Sequence, residues 1–223
     1  MTKVTAVVPA HNEERYVGAT VRSLLSVSEI GEVIVVDDGS GDATARQAGE
    51  AGARVVQLWP NRGKGKALEA GIGAAAGEVL LLVDADLGTE AAKARMLLPP
   101  VLAGEADLTV AVLPSPPGAG GWGLVRTAAR WGVGLLAGVW LRAPLSGQRA
   151  VSRRDLESLL PLARGYGVEV GMTVDAIRRG LVVREVPVDI SYRPTGNDLA
   201  GVLHRARQLG DVLAALGRRR RPE

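Results

Sequence analysis

The feature that most constrains this chain is an alternation that runs through its first half. Short β-branched runs alternate there with stretches of helical period, and the runs end in polar turn formers. Residues 4–9 read as a buried strand, followed by a helix over 14–27 with Val17, Val21, Leu24 and Leu25 on one face. A strand over 32–36 and a helix over 42–52, closed by glycine, repeat the unit. So do a strand over 54–58 and a helix over 64–76. Residues 78–83 form the most continuous apolar run, which predicts the central strand of a mostly parallel sheet. A helix over 91–102 and a strand over 108–113 complete this part, and the fold class that follows is α/β, a doubly wound sheet flanked by helices.

Residues 114–123 are rich in Pro and Gly and mark a change of character. Beyond them come a long apolar helix, an irregular stretch over 143–151, and helices near 154–160 and 168–179. A strand over 182–188 and a helix over 199–216 follow. The expected organisation is one domain over 1–217, its 1–113 half binding a nucleotide and its 114–217 half covering the acceptor side, with a basic tail over 218–223. The length of 223 residues favours one domain over two. There is no cysteine, which excludes disulfides, thiolate chemistry and zinc–thiolate sites and fits a cytoplasmic protein. With four Trp, three Tyr and no Phe, the chain is poorly equipped to stack bases, so nucleic acid is not an expected partner.

In open parallel sheets, ligands sit beyond the carboxyl ends of the strands. Four polar clusters fall at such ends: residues 9–14 (PAHNEE), 37–40 (DDGS), 61–66 (NRGKGK) and 84–86 (DAD). Any one alone is explained by turn formation or helix capping, but four at one edge converge on a site. Asp84 and Asp86, projecting the same way from an extended segment, repel each other unless a cation or an exposed turn relieves them. Such hard oxygen donors suit Mg²⁺ or Mn²⁺, completed by substrate phosphates. Lys64 and Lys66 open a helix in a glycine-rich loop, where free N–H groups and ammonium groups can meet phosphate. The loop lacks the Walker spacing, and residues 39–42 lack the dinucleotide fingerprint, so a kinase or dehydrogenase is disfavoured.

The runs VVPAHNEE (7–14), VVDDGS (35–40) and DADL (84–87), in this order and spacing, resemble glycosyltransferase family 2, whose members share the nucleotide-binding GT-A fold. The resemblance covers the whole chain. It implies that Pro9 and Glu13 line a nucleoside pocket, Asp38 binds the base, Lys64 contacts the donor, and Asp86 holds the metal with Asp84 beside it. The Glu-Asp pair that supplies the base in many inverting members is missing. Instead, GYGVEVG (165–171) and PLSGQRA (144–150) resemble the retaining glucosyl-3-phosphoglycerate synthases. That resemblance implies that Glu169 contacts the transferred sugar or the acceptor hydroxyl, and that Gly147 to Arg149 shape the acceptor pocket. A carboxylate such as Glu169 is also what a helix N-terminus favours on its own. The histidine that completes the metal site in those synthases is replaced by Tyr192, and His204 is the remaining candidate.

The function expected is metal-dependent transfer of a hexose, with UDP-glucose the donor, to a small phosphorylated acceptor such as 3-phosphoglycerate. Two alternatives stand beside it. One is transfer to a polyprenyl phosphate at a membrane face, suggested by the apolar stretch 122–141 and by Arg218 to Arg221. That stretch is interrupted by Arg126 and Arg130 and is too short to span a bilayer, though it can lie on one or form a homodimer. The other is a sugar-phosphate nucleotidylyltransferase, which wants a glycine-rich basic signature where this chain has Pro9-Ala10-His11-Asn12.

Overall fold

The computed structural model describes residues 3–114, 123–191 and 199–219, and within these it leaves out the side chains of residues 123, 124, 126, 166 and 199–208. Strands β1 (Val4–Ala10), β2 (Ile30–Asp38), β3 (Arg54–Leu58) and β4 (Val79–Leu82) alternate with helices α1 (Val17–Leu25), α2 (Thr44–Glu50) and α3 (Lys64–Ala74). The four strands are parallel neighbours in the order β3-β2-β1-β4. The sheet continues through β6 (Arg149–Ser152), β5 (Leu108–Val112) and β7 (Val183–Pro187), so β4 is the fourth strand of seven and lies at the centre. β6 runs antiparallel to both β4 and β5, while β5 and β7 are parallel.

Along the strands, successive residues face opposite layers, as the pleat requires. Val8, Val33, Val35, Leu81 and Val83 join the core built with α1. Val7, Ile34, Val36, Leu80 and Leu82 join the core built with α3, α6 (Arg153–Ser158) and α7 (Val168–Arg178). Because both faces are covered, the strands read as continuous apolar runs. α3 lies close on its face because Gly71 has no side chain: a Cβ there would collide with Val7 and crowd Val36. A third cluster joins α5 (Gly123–Ala137), α7 and α8 (Leu199–Arg218) through Val125, Ala129, Val133, Val170, Val174, Val212 and Leu216.

Three sequence expectations change here. The helix expected over 91–102 is a 3₁₀ helix (Gly88–Leu97) followed by one turn of α4 (Leu98–Leu102). Its buried residues Ala91, Ala94 and Leu97 recur every third position, which is the period at which 3₁₀ side chains align. Pro99 and Pro100 are tolerated because they fall in the first turn of α4. The stretch taken as irregular over 143–151 ends in β6, which slots between β4 and β5 and stitches the second half of the chain into the sheet of the first. Arg219 belongs to the fold and not to a free basic tail: its Nε donates to Asp175 Oδ1 on α7 at 2.6 Å.

Candidate active site

The carboxyl ends of β1 to β4 bring the four polar clusters to one edge of the sheet. After β1 the chain turns through Asn12, whose φ is +57°, and its backbone N–H donates to Ser40 Oγ of the β2 loop at 2.9 Å. Glu13 follows, donating its N–H to Thr44 Oγ1 at 2.7 Å while its carbonyl accepts from Tyr16 and Val17 at the start of α1. Pro9 is half-buried near the end of β1, opposite Val36.

Asp37 and Asp38 are both buried. Asp38 Oδ1 accepts the N–H of Arg62 at 2.8 Å and Oδ2 that of Gly63 at 2.7 Å, while Asp37 Oδ1 accepts from Ser40 N–H at 3.1 Å. Asp38 therefore fastens the loop that leads into α3. The loop needs Gly63, at φ +86°, to reverse into the helix, and Lys64 is then the first residue of α3.

Lys64 is the hinge-pin of the site. Its Nζ lies 2.6 Å from Asp84 Oδ1 and 2.7 Å from Glu169 Oε1, linking the end of β4 to the first turn of α7. Burial opposes its charge, but the two carboxylates outweigh that cost and hold the ammonium well above the ordinary lysine range. Glu169 is 7% exposed, so without Lys64 it would be a buried carboxylate with no ion-pair partner among the described residues. Sequence separation hides this pairing, since residues 64 and 169 meet only through the tertiary fold.

Asp84 and Asp86 do not share one environment. The chain turns at Ala85 and Asp86 instead of staying extended. Asp84 is fixed by Lys64 on one oxygen and by Gln148 Nε2, 2.7 Å away, on the other. Asp86 is exposed and forms no ion pair among the described residues. The protein crowded around it still withholds water, and with the Asp84 carboxylate this raises its pKa above the usual range. Glu13 is pushed up to about 7, first by burial and then by Asp86, Asp42 and Asp84. Beside the paired Asp84, the edge thus holds Asp86 and Glu13 as hard oxygen donors that form no ion pair among the described residues.

These donors fit a divalent cation of the Mg²⁺ or Mn²⁺ kind, and Asp86 is the carboxylate that could hold it. Among the described residues, no three Asp, Glu, His or Cys side chains converge to hold an ion by themselves. A diphosphate would supply the remaining ligands. Tyr192 and the side chain of His204, the positions considered for a further ligand, lie outside the described residues.

On the acceptor side, Gly147 and Arg149 take different parts. A Cβ on Gly147 would collide with the Asp84 carboxylate, so glycine is what lets the 144–148 loop close over that residue. Arg149 is 1% exposed and reaches no solvent. Its guanidinium donates to Ser146 O at 2.9 Å, Pro144 O at 3.0 Å and Thr173 Oγ1 at 2.9 Å. Burial lowers its pKa to about 10, against the pull of Glu169 and Asp84. Arg149 therefore shapes the loop from beneath and does not line a pocket.

Residues 5–143 match the family model described as glycosyl transferase family 2. The chain belongs to this family. It is 32% identical to the glucosyl-3-phosphoglycerate synthase of Mycobacterium tuberculosis, over 96% of this chain and 70% of that enzyme. The crystal structure of that synthase with Mn²⁺, UDP-glucose and phosphoglyceric acid superposes with a TM-score of 0.79 at 30% identity, covering 97% of this chain and 80% of the other. A further structure of it, with Mg²⁺ and UDP, gives 0.78 at 29% identity over the same shares. The seven-stranded sheet is thus the GT-A fold, and this family member is a glycosyltransferase.

Proposed function

We propose that this glycosyltransferase moves a glucosyl group from UDP-glucose to the hydroxyl of 3-phosphoglycerate. The observation that carries the reading is the Lys64 bridge. Its ammonium lies 2.6 Å from Asp84 and 2.7 Å from Glu169, a position from which it could serve both a departing diphosphate and an arriving hydroxyl. The similarity to the mycobacterial synthase, and the UDP-glucose and phosphoglyceric acid bound in its crystal structure, support the choice of donor and acceptor.

In this reading Pro9 and Glu13 border the nucleoside. Asp86, with Asp84 behind it, holds Mg²⁺ or Mn²⁺, which when bound neutralises diphosphate charge. Lys64 turns its ammonium to the β-phosphate as negative charge develops there. Glu169 accepts a hydrogen bond from a hydroxyl of the sugar or acceptor once Lys64 has shifted toward phosphate. Reaction on one face of the sugar retains configuration. The glycosidic C–O electron pair stays with the phosphate oxygen, the acceptor oxygen bonds to the anomeric carbon, and its proton passes to the departing phosphate. No strong protein base is needed, in keeping with the missing Glu-Asp pair.

The test is incubation with UDP-glucose, 3-phosphoglycerate and Mn²⁺, following UDP release and the mass and anomeric NMR signal of the product. Metal-dependent formation of an α-linked glucosyl phosphoglycerate is expected. UDP release that does not depend on 3-phosphoglycerate would move the acceptor elsewhere.

One surface favours a second reading, transfer to a polyprenyl phosphate at a membrane face. Trp131 and Trp140 pack edge to face with ring centroids 5.1 Å apart, yet they remain 54% and 57% exposed beside Leu135 at 70%. Arg130 and Arg142 flank them, also exposed, an aromatic and basic rim suited to anionic headgroups. No described helix is long and apolar enough to cross a bilayer, so the contact would be peripheral. Sedimentation with phosphatidylserine vesicles, lost in Trp131→Ala/Trp140→Ala, supports this reading. A dimer in light scattering without vesicle binding would assign the patch to a second copy of the chain.

A further inference from the structure

Gln148 is a buried polar side chain that the reaction described above does not use. Its Nε2 donates to Asp84 Oδ2 at 2.7 Å, and its Oε1 accepts from Ser146 Oγ at 3.2 Å. The orientation of the amide is dictated by chemistry, because a carboxylate only accepts and must face the NH₂ end. The backbone on either side of it is equally fixed. Gly147 packs its Cα against the Asp84 carboxylate, and Arg149 ties the loop to Thr173 of α7 at 2.9 Å. Thr173 Oγ1 in turn donates to the carbonyl of Glu169 at 2.9 Å.

These contacts close a ring. Starting at Lys64, one arm runs through Glu169, Thr173 and Arg149 to the loop, and the other through Asp84 to Gln148 in the same loop. We infer that Gln148 is a positioning residue for glycosyl transfer: by holding Asp84 Oδ2 it keeps Oδ1 turned to Lys64, and so sets the place of the ammonium between donor and acceptor sides. This assigns Gln148 to the donor side, acting through Asp84, and not to the wall of the acceptor pocket. An amide does this where a carboxylate cannot, since a glutamate would set a second negative charge against Asp84. The inference rests on the proposed transfer of glucose to 3-phosphoglycerate.

The experiment is a double-mutant cycle on Gln148→Ala and Asp84→Ala, with Gln148→Glu as a third variant, read in steady-state kinetics and in thermal stability. Losing a hydrogen bond to a charged group should lower kcat about 10- to 100-fold in Gln148→Ala. The KM for 3-phosphoglycerate should stay within about threefold, and the loss should be larger in Gln148→Glu. In the Asp84→Ala background, Gln148→Ala should change the residual rate less than about twofold, because the group it acts through is gone. Equal losses in both backgrounds, or a loss confined to the KM for 3-phosphoglycerate, would overturn the inference, as would a fully active Gln148→Glu. If the wild-type protein transfers no glucose, the proposed function fails instead. The thermal cycle then decides the contact alone: coupled shifts in melting temperature uphold it and additive shifts refute it.

Discussion

Gly147 lies so close to Asp84 that a methyl group on its Cα would occupy the space of the carboxylate. The 144–148 loop and Asp84 are therefore packed as one unit. Gly147→Ala has to push Asp84 off Lys64 or lift the loop, and overpacking of this kind costs about 1–3 kcal/mol. A lowered melting temperature together with a loss of turnover larger than that destabilisation explains is the expected outcome. A Gly147→Ala protein with wild-type kcat would show that the loop can yield without disturbing the site.

Lys64→Met removes the charge shared by Asp84 and Glu169 while keeping most of the side-chain bulk. Loss of a preorganised group at developing negative charge lowers kcat by about 100- to 1,000-fold. Lys64→Arg should not rescue it, because a planar fork cannot sit at both short contacts as a point-like ammonium does. Steady-state kinetics with UDP-glucose separates the two variants from wild type.

Asp86→Asn separates activity from stability. It removes the carboxylate proposed to hold the metal, so the thermal stabilisation that UDP and Mn²⁺ give together should vanish. For wild type that stabilisation is about 2.7 kcal/mol at 100 times the dissociation constant. Without ligand, Asp86→Asn should melt no lower than wild type and somewhat higher, because it relieves repulsion with Asp84 and Glu13. Thermal scans with and without UDP and Mn²⁺ measure both effects.

Glu13 gives a pH dependence of defined sign. Its pKa is raised from 4.5 to about 7 in the fold, so the folded state resists an ionisation that the unfolded chain undergoes freely. The protonated form costs nothing at low pH. Stability of the metal-free protein should fall as pH rises from about 4.5 to about 7 and level off above. Glu13→Gln should flatten that window in urea denaturation run across pH. A wild-type profile already flat between these values would count against the burial and charge crowding assigned to Glu13.

The first half of the chain was legible in the sequence because its central strands are buried on both faces and end in turn formers. Val7 and Val8, or Leu81 and Leu82, face opposite cores, yet both positions are apolar, so the runs stand out without any alternation. The cluster residues Glu13, Lys64, Asp84 and Asp86 were found by their position after those runs, and the fold brings them to one edge. What stayed hidden depended on distant partners. β6 is four residues long and begins with an arginine, a residue that reads as loop or surface until Ser146, Pro144 and Thr173 are seen to accept its protons. The loop-fastening part of Asp38 was hidden for the same reason, because the N–H groups it accepts belong to Arg62 and Gly63, 24 and 25 residues further on. Gln148 was marked only by the family resemblance of residues 144–150, and its hold on Asp84 was hidden, since a lone glutamine among Ser, Gly and Arg matches any loop.

The insertion of β6 between β4 and β5 bears on how the protein is made. A nascent chain that has left the ribosome as far as residue 143, the extent matched by the family model, already contains β1 to β5. It cannot yet join them, because β4 and β5 are not neighbours and the strand that bridges them has not emerged. Until it does, both present open edges of unpaired backbone groups, the condition under which strands find wrong partners. The joining of β4 to β5, and with it the seating of Gln148 and Gly147 on Asp84, thus has to wait for β6. The edge that carries Asp84 acquires its final shape only when residues 144–152 arrive.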